Sequence, residues 1–263
     1  MGRVQISAPA AGRDDWSGHW DSYADSARDN PAQEMRHRLI LSVLSQTPGD
    51  LHLLMDVGSG QGDFLQRAAG RHIAERMVGL ELSETGVRLS RTKVPESTFI
   101  QADLFKPPQE LQAYLDGADA AVCSEVLEHV DDPVGFLRAV RTYLKPGGRL
   151  ILTVPGGPMS AFDRHIGHRQ HFNAASITAI LKTAGFFTEK VRLAGFPFFN
   201  LYRLTVIARG NKLIDDVKAG TAERQPNALA VFAMRVFRLL FHLNVDDSPF
   251  GWQVIALARK TDS

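Results

Sequence analysis

The chain of 263 residues has a single cysteine, Cys123, which excludes an internal disulfide and fits a reducing compartment. It lacks a dominant charge: 30 basic side chains against 29 acidic ones leave +1, so the basic footprint of a nucleic-acid binder is missing. It lacks any run of the roughly 18 to 20 apolar residues that would span a bilayer. The opening Met1-Gly2-Arg3-Val4 turns polar without the apolar core of a secretory signal, and Ile6 stands where an N-myristoylation pattern needs Ser or Thr. No internal repeat is visible. These absences predict a soluble, cytoplasmic protein with no nucleic-acid partner. One further absence is local. After Gly58 and Gly60, the third glycine of the dinucleotide fingerprint would fall at position 63, which is Asp63.

What stands there is Leu53-Leu54-Met55-Asp56-Val57-Gly58-Ser59-Gly60-Gln61-Gly62. An apolar strand runs into a carboxylate and then into three alternating glycines, ahead of a helical pattern. This is the first strand–loop–helix of an α/β nucleotide-binding fold. Glycines let the backbone turn tightly and let a ligand approach with no Cβ in the way. A carboxylate beside the loop repels a pyrophosphate and attracts a cationic ligand. The pattern Asp56-x-Gly58-x-Gly60-x-Gly62 therefore favours the sulfonium cofactor S-adenosylmethionine over NAD. Gly58, Ser59 and Gly60 then cradle its methionine and ribose part, and Asp56 helps to hold its ammonium group. The bland alternative is a plain tight turn in another α/β protein.

The 44% hydrophobic content supplies an ordinary core, and the length allows one domain with an added cap. Residues 1–34 read as an N-terminal lid segment with clustered aromatics Trp16, Trp20 and Tyr23, ahead of a helical stretch through Met35, Leu39, Ile40 and Leu44. Further strands are expected at 77–81, 97–101, 118–123, 149–154, 186–194 and 252–258, with helices at 133–144 and 175–184. The first of these helices ends at Leu144-Lys145-Pro146-Gly147-Gly148, a run of helix-stop residues. The alternation predicts a doubly wound, mostly parallel sheet with ligands at the C-terminal strand ends. The domain covers 35–194 and 251–263, and the segment 195–250 is a helical cap insert. Within it, 228–243 is apolar apart from Arg235, Arg238 and His242, whose spacing puts them on one helix face.

Two more carboxylates sit at strand ends. Glu81, with Leu82 beside it, lies about twenty residues past the loop, where a carboxylate can accept both ribose hydroxyls. Asp103, followed by Leu104, can read an adenine amino group while Leu104 packs on the ring; the same Asp can instead cap its turn. With Asp56–Gly62, Glu81, Asp103, Cys123-Ser124-Glu125-Val126-Leu127-Glu128-His129-Val130 and Leu144–Leu150, the sequence resembles the class I S-adenosylmethionine-dependent methyltransferases, in particular the ubiquinone-biosynthesis O-methyltransferase-like group. The resemblance implies a Rossmann-like seven-stranded sheet with an antiparallel last strand, and methyl transfer from the sulfonium. It also implies that Ser124 and Glu125 line the methionine end and that Trp20 and Tyr23 act as lid residues.

Such transfer to an alcohol needs alignment and a proton acceptor, and histidine is the base suited to neutral pH. Candidates are His129 and the segment Asp163-Arg164-His165-Ile166-Gly167-His168-Arg169-Gln170-His171-Phe172. Related glycan and lipid-linked methyltransferases resemble it in an Asp…Gly-His…aromatic pattern, which selects His168 as base and Asp163 as the group that orients it or the substrate. His171 is a further candidate, and each histidine also has a solvated or capping reading. The three-residue spacing of His165, His168 and His171 does not share one helix face, so no metal is expected; a magnesium site on Glu125 or Glu128 is the alternative. The insert is read as a cap, a homodimer contact, or a membrane-surface helix with Arg235 and Arg238 toward anionic groups. Phe196-Pro197-Phe198-Phe199 fits a hydrophobic acceptor pocket and equally plain core packing. The expected activity is O-methylation of a small molecule: a sugar or glycan precursor, a quinone-like phenol or a polyketide. N- or C-methylation and a non-catalytic membrane-associated protein are the rivals.

Overall fold

The computed structural model describes residues 30–46, 49–210, 212 and 228–261. Helix α1 (Pro31–Ser45) opens on the Asn30 side chain, which accepts the Ala32 amide at 2.9 Å, with Pro31 in the first turn where its missing N–H is not needed. Met35, Leu39, Ile40 and Leu44 are buried along it. The boundary expected between 34 and 35 therefore falls inside a helix, because the Asn-Pro start signal sits four residues earlier. Trp16, Trp20 and Tyr23 lie outside the described residues.

The chain then alternates through β1 (Leu53–Val57), α2 (Asp63–Ala69), β2 (Arg76–Glu81), α3 (Glu84–Lys93), β3 (Thr98–Gln101), β4 (Ala118–Ser124), α4 (Pro133–Arg141) and β5 (Leu144–Pro155). After β5 come α5 (Ala161–His165), α6 (Ala174–Thr183) and β6 (Phe186–Ala194), then the insert with α7 (Phe198–Ala208) and α8 (Ala228–Leu240), and finally β7 (Gln253–Lys260). The strands form one sheet in the order β3-β2-β1-β4-β5-β7-β6. Neighbours among β1 to β5 run parallel, and β7 runs antiparallel to both β5 and β6. All five β1 residues are buried, as expected of a strand covered by helices on both faces. The order reverses beside β1, so the ends of β1 and β4 open the crevice in which such sheets bind ligands.

One boundary differs from the sequence expectation. The helix predicted over 133–144 ends at Arg141, and β5 begins at Leu144. Ala118 pairs with Leu144 but Ala120 pairs with Arg149, so the intervening residues bulge out, with Gly147 at φ +71°. Tyr143 and Leu144 are buried, and drawing them into the core places the Pro-Gly-Gly run in a strand bulge instead of at a helix end.

The helices of the insert are joined by an aromatic cluster, with Tyr202–Phe237 at 5.5 Å, Tyr202–Phe241 at 5.7 Å and Phe199–Phe241 at 5.9 Å between ring centroids, and the insert also meets α1. Phe199 is buried while Phe196 is exposed, so the Phe-Pro-Phe-Phe run divides between core and surface. Arg38 of α1 holds Asp246 through two hydrogen bonds of 3.0 and 2.9 Å. Arg235 is exposed, and Arg238, itself partly exposed, pairs with Glu34 of α1 at 3.4 Å. Among the described residues no helix is long and apolar enough to cross a membrane.

Candidate active site

A cavity of about 670 Å³ opens at the C-terminal ends of β1, β4 and β5, between α1 and the insert. Its first wall is the glycine loop. Gly58 has φ +76°, Gly60 +54° and Gly62 +80°, left-handed values that favour glycine, and a Cβ on Gly58 would collide with the Val126 side chain. The amides of Gly58 and Ser59 both donate to the Leu80 carbonyl, at 2.8 and 2.9 Å, which ties the loop to the end of β2. Glu81 braces the same turn: its Oε2 accepts the Gly60 amide at 2.8 Å and its Oε1 the Ser83 amide at 2.9 Å.

Asp56 lies beneath this loop and lines the cavity, 2% exposed, with Oδ2 accepting no hydrogen bond. Burial, and then the nearby Glu81 charge, push its carboxyl up to about 8. A buried carboxyl with an unsatisfied oxygen costs free energy unless a partner arrives, and a cation supplies the strongest one.

Ser124 and Glu125 form the floor. The Ser124 hydroxyl lies 2.8 Å from that of Thr153, while Glu125 Oε1 accepts Gln253 Nε2 at 2.8 Å and Oε2 lies 3.6 Å from Arg36. Glu125 has φ +56°, a strained conformation for a non-glycine residue that costs about 1–3 kcal/mol and concentrates at functional sites. The residues assigned to the ribose and adenine ends stand apart from this cavity. Leu82 is exposed, Leu104 is buried in the core, and Asp103 Oδ1 accepts the Phe105 amide at 2.9 Å in a turn-capping bond. Neither these three nor Glu81 lines the cavity.

The far wall carries the histidines. His168 and His129 pack edge to face with ring centroids 4.7 Å apart, and His168 Nε2 lies 4.0 Å from Glu128 Oε1. Burial lowers His168 to about 3 and also lowers His171. Glu128 is fully buried and neither carboxyl oxygen has a hydrogen-bond partner; burial, with Glu125 nearby, raises it well above the usual carboxylate range. The segment that follows α5 is a loop, so the helix-face argument against convergence fails: His168 Nδ1 lies 3.2 Å from His171 Nε2. Two groups of donors, Glu128–His129–His168 and Asp163–His168–His171, gather ligand atoms within 4.8 Å, a spacing compatible with a divalent ion. His165 belongs to neither group.

The Asp163 side chain is engaged away from the His168 ring. Its oxygens accept Arg203 at 3.0 and 2.8 Å and the Ser160 amide and hydroxyl at 2.7 and 2.8 Å, forming the capping box of α5. Burial alone would raise it, but the Arg203 guanidinium and the Ser160 donors hold Asp163 down at about 2. Arg203 and Arg36 line the cavity, and neither stood out in the sequence. Arg203 is the single arginine of a mostly apolar helix, and that contrast was the available signal; Arg36 stands among Glu34, His37 and Arg38 and carried none. Tyr202, Val206, Met234, Phe237 and Trp252 complete the wall opposite the glycine loop.

Residues 28–191 match a family described as a methyltransferase domain, and the insert lies outside the matched span. The ubiquinone biosynthesis O-methyltransferase of Xanthomonas axonopodis pv. citri (strain 306) is 34% identical over 183 residues, covering 63% of this chain and 75% of that protein. Its counterpart in Xanthomonas campestris pv. campestris (strain B100) is 35% identical over 111 residues, covering 41% of this chain. The chain thus spans 45% of the length of that relative. Among solved structures, the putative methyltransferase in complex with the Haloferax volcanii Trm112 activator superposes with a TM-score of 0.60 at 16% identity, covering 95% of this chain and 99% of that one. The [4+2]-cyclase SpnF gives 0.57 at 23%, covering 88% and 83%. At such identities these structures speak for the fold alone.

Proposed function

Because the chain belongs to the methyltransferase-domain family, we propose that it transfers a methyl group from S-adenosylmethionine to a hydroxyl oxygen of a small amphipathic acceptor. The observation that carries the cofactor reading is Asp56: a buried carboxyl with an unsatisfied oxygen, set under a glycine loop with room for a ligand. The ammonium group of the cofactor satisfies that oxygen, and the glycine backbone admits the chain beside it. When bound, the cofactor would supply an electrophilic methyl group that passes from sulfur to the acceptor oxygen, with a neutral thioether as the leaving group. The hydroxyl proton passes to His168 Nε2, which faces the same cavity. Holding the oxygen and the sulfonium in line, away from water, supplies most of the acceleration.

The acceptor class follows from the wall. Tyr202, Val206, Met234 and Phe237 give the cavity an apolar face beside polar groups such as Arg36, Thr205 and Arg209, which favours an amphipathic acceptor such as a substituted phenol, a polyketide or a lipid-linked glycan. A panel of alkylphenols, alkylcatechols, alkyl glycosides and free sugars, incubated with methyl-labelled S-adenosylmethionine, tests this directly. Label in the alkylphenols or alkyl glycosides supports the reading; label in amines alone, or in the free sugars alone, overturns it.

The cofactor site has its own test. Asp56→Ala is expected to weaken S-adenosylmethionine binding by about ten- to hundred-fold, the scale of a lost charge-assisted contact, and Glu81→Ala by a similar factor through the glycine loop whose Gly60 amide it holds. Titration calorimetry showing wild-type affinity in both variants would remove the assignment. The raised pKa adds a pH dependence with a fixed sign. Asp56 near 8 is protonated at neutral pH in the free protein and must lose that proton to meet a cation. Affinity should therefore rise with pH up to about 8 and level off above it, with proton release on binding at pH 7 visible as a buffer-dependent heat.

A further inference from the structure

The backbone around His168 is fixed from four directions. The His168 amide donates to the Asp163 carbonyl at 2.9 Å and the Arg169 amide to the Glu128 carbonyl at 2.7 Å. The Phe172 amide donates to the Pro155 carbonyl at 2.9 Å, and the Gly156 amide to the Trp252 carbonyl at 2.8 Å. Gly157 then turns at φ +69° against the Trp252 ring, leaving no space for a Cβ. Its carbonyl, so placed, lies 3.1 Å from His171 Nδ1, and His171 Nε2 lies 3.2 Å from His168 Nδ1.

A carbonyl oxygen can only accept, so this chain has one consistent proton order. His171 must donate from Nδ1, which leaves a lone pair on its Nε2 when the ring is neutral. That lone pair needs a donor, and His168 Nδ1 is the atom within reach. The His168 proton is thereby placed on Nδ1, and its lone pair on Nε2, toward Glu128 and the cavity. We infer that His171 is a positioning residue: through the relay Gly157 carbonyl–His171–His168 it fixes the tautomer and ring direction of His168 that a proton acceptor at the methyl-transfer site requires. The inference rests on the reading of His168 as base, and it gives His171 the orienting role that the sequence suggested for Asp163. A neutral imidazole does here what a carboxylate does in other base–orienter pairs, with no second charge introduced into the cavity.

The test is made on the full-length protein labelled with ¹⁵N-histidine, where two-bond nitrogen–proton correlations report which ring nitrogen carries the proton. Wild-type His168 is expected to be protonated on Nδ1 and bare on Nε2. His171→Phe, which cannot accept, is expected to lose that preference and to lower kcat by about ten- to hundred-fold at unchanged KM for S-adenosylmethionine, the scale of a misplaced reacting group. His171→Gln can accept with its carbonyl and donate with its amide, and should restore both the Nδ1–H form and most of the rate. A wild-type His168 protonated on Nε2 overturns the relay, whatever the variants do. Equal losses in the Phe and Gln variants with the His168 tautomer unchanged overturn it as well. If the tautomer is as stated and His168→Ala still turns over, the relay stands and the base reading fails; if His168→Ala is inactive and the tautomer is reversed, the relay alone fails.

Discussion

Turnover of the His168→Ala protein is expected to fall by about two to four orders of magnitude, the usual worth of a positioned general base. S-adenosylmethionine affinity should stay within about two-fold of wild type, because the groups proposed to hold the cofactor are on the opposite wall of the cavity. The proton accounting makes the prediction sharper than a simple loss. His168 is held near 3 by burial, so it is unprotonated across the whole neutral range, a weakened base that takes the proton only as methyl transfer makes the hydroxyl strongly acidic. At saturating cofactor the wild-type rate should therefore show no drop as pH falls through 6.5, where an ordinary histidine would protonate. A rate that halves near pH 6.5 and follows one proton would mean that a solvated histidine does the work. An alanine variant with wild-type turnover would mean that no base is needed at this position.

The second large effect is on stability. Arg203→Met is expected to cost about 3–5 kcal/mol, because it leaves the Asp163 carboxylate uncompensated where the side chain is 1% exposed. For a chain of this size that lowers Tm by on the order of 10 °C. Asp163→Asn combined with Arg203→Met should recover part of the loss, since the damage lies in the orphaned charge more than in the missing pair. The pH dependence has the sign of a depressed carboxyl. The Asp163 contribution is full above its ordinary value of 3.8 and disappears as pH falls toward about 2. Thermal melts of the single and double variants at neutral pH decide the matter; a single variant that melts within a degree of wild type would show that the pair holds nothing.

Much of the fold could be read from local signals. The apolar run before Gly58 and the strands over 76–81 and 186–194 are written in neighbouring residues, and the structure places them within a residue or two of expectation, whereas the helix start at Asn30-Pro31 lies inside what reads as a lid segment. The Lys145–Gly148 segment was misread because Pro and Gly mark any break in regular backbone, and only burial of Tyr143 and Leu144 tells a strand bulge from a helix end. The glycine turn was legible for the same reason as the strands: Asp56, Gly58 and Gly60 stand within five residues of one another, and the backbone turns where the glycines are. The acceptor wall was not. Arg203 meets Asp163 across forty residues and Glu128 meets His168 across as many again, through loops whose spacing obeys no period. The histidine segment could be singled out by its composition, but which nitrogen faces which neighbour depends on the Gly157 turn and the Trp252 ring, and these enter from two other strands.

The insert leaves the sheet at Ala194 and returns at Gln253, and these two residues are paired across β6 and β7. Its entry and exit are therefore neighbours, so the segment hangs from the sheet as a single loop whose length costs little chain entropy. The matched family span ends at Val191, just before this departure. Such an arrangement makes the cap an exchangeable part: a different segment could be stitched across the same strand pair while the glycine loop, Glu81 and the histidine segment stay where they are. The exchange has one condition. Met35 and Arg38 of α1 have grown against the present cap, through Asn244 and Asp246, so a transplanted cap must arrive with partners for that helix or the lineage must change both together.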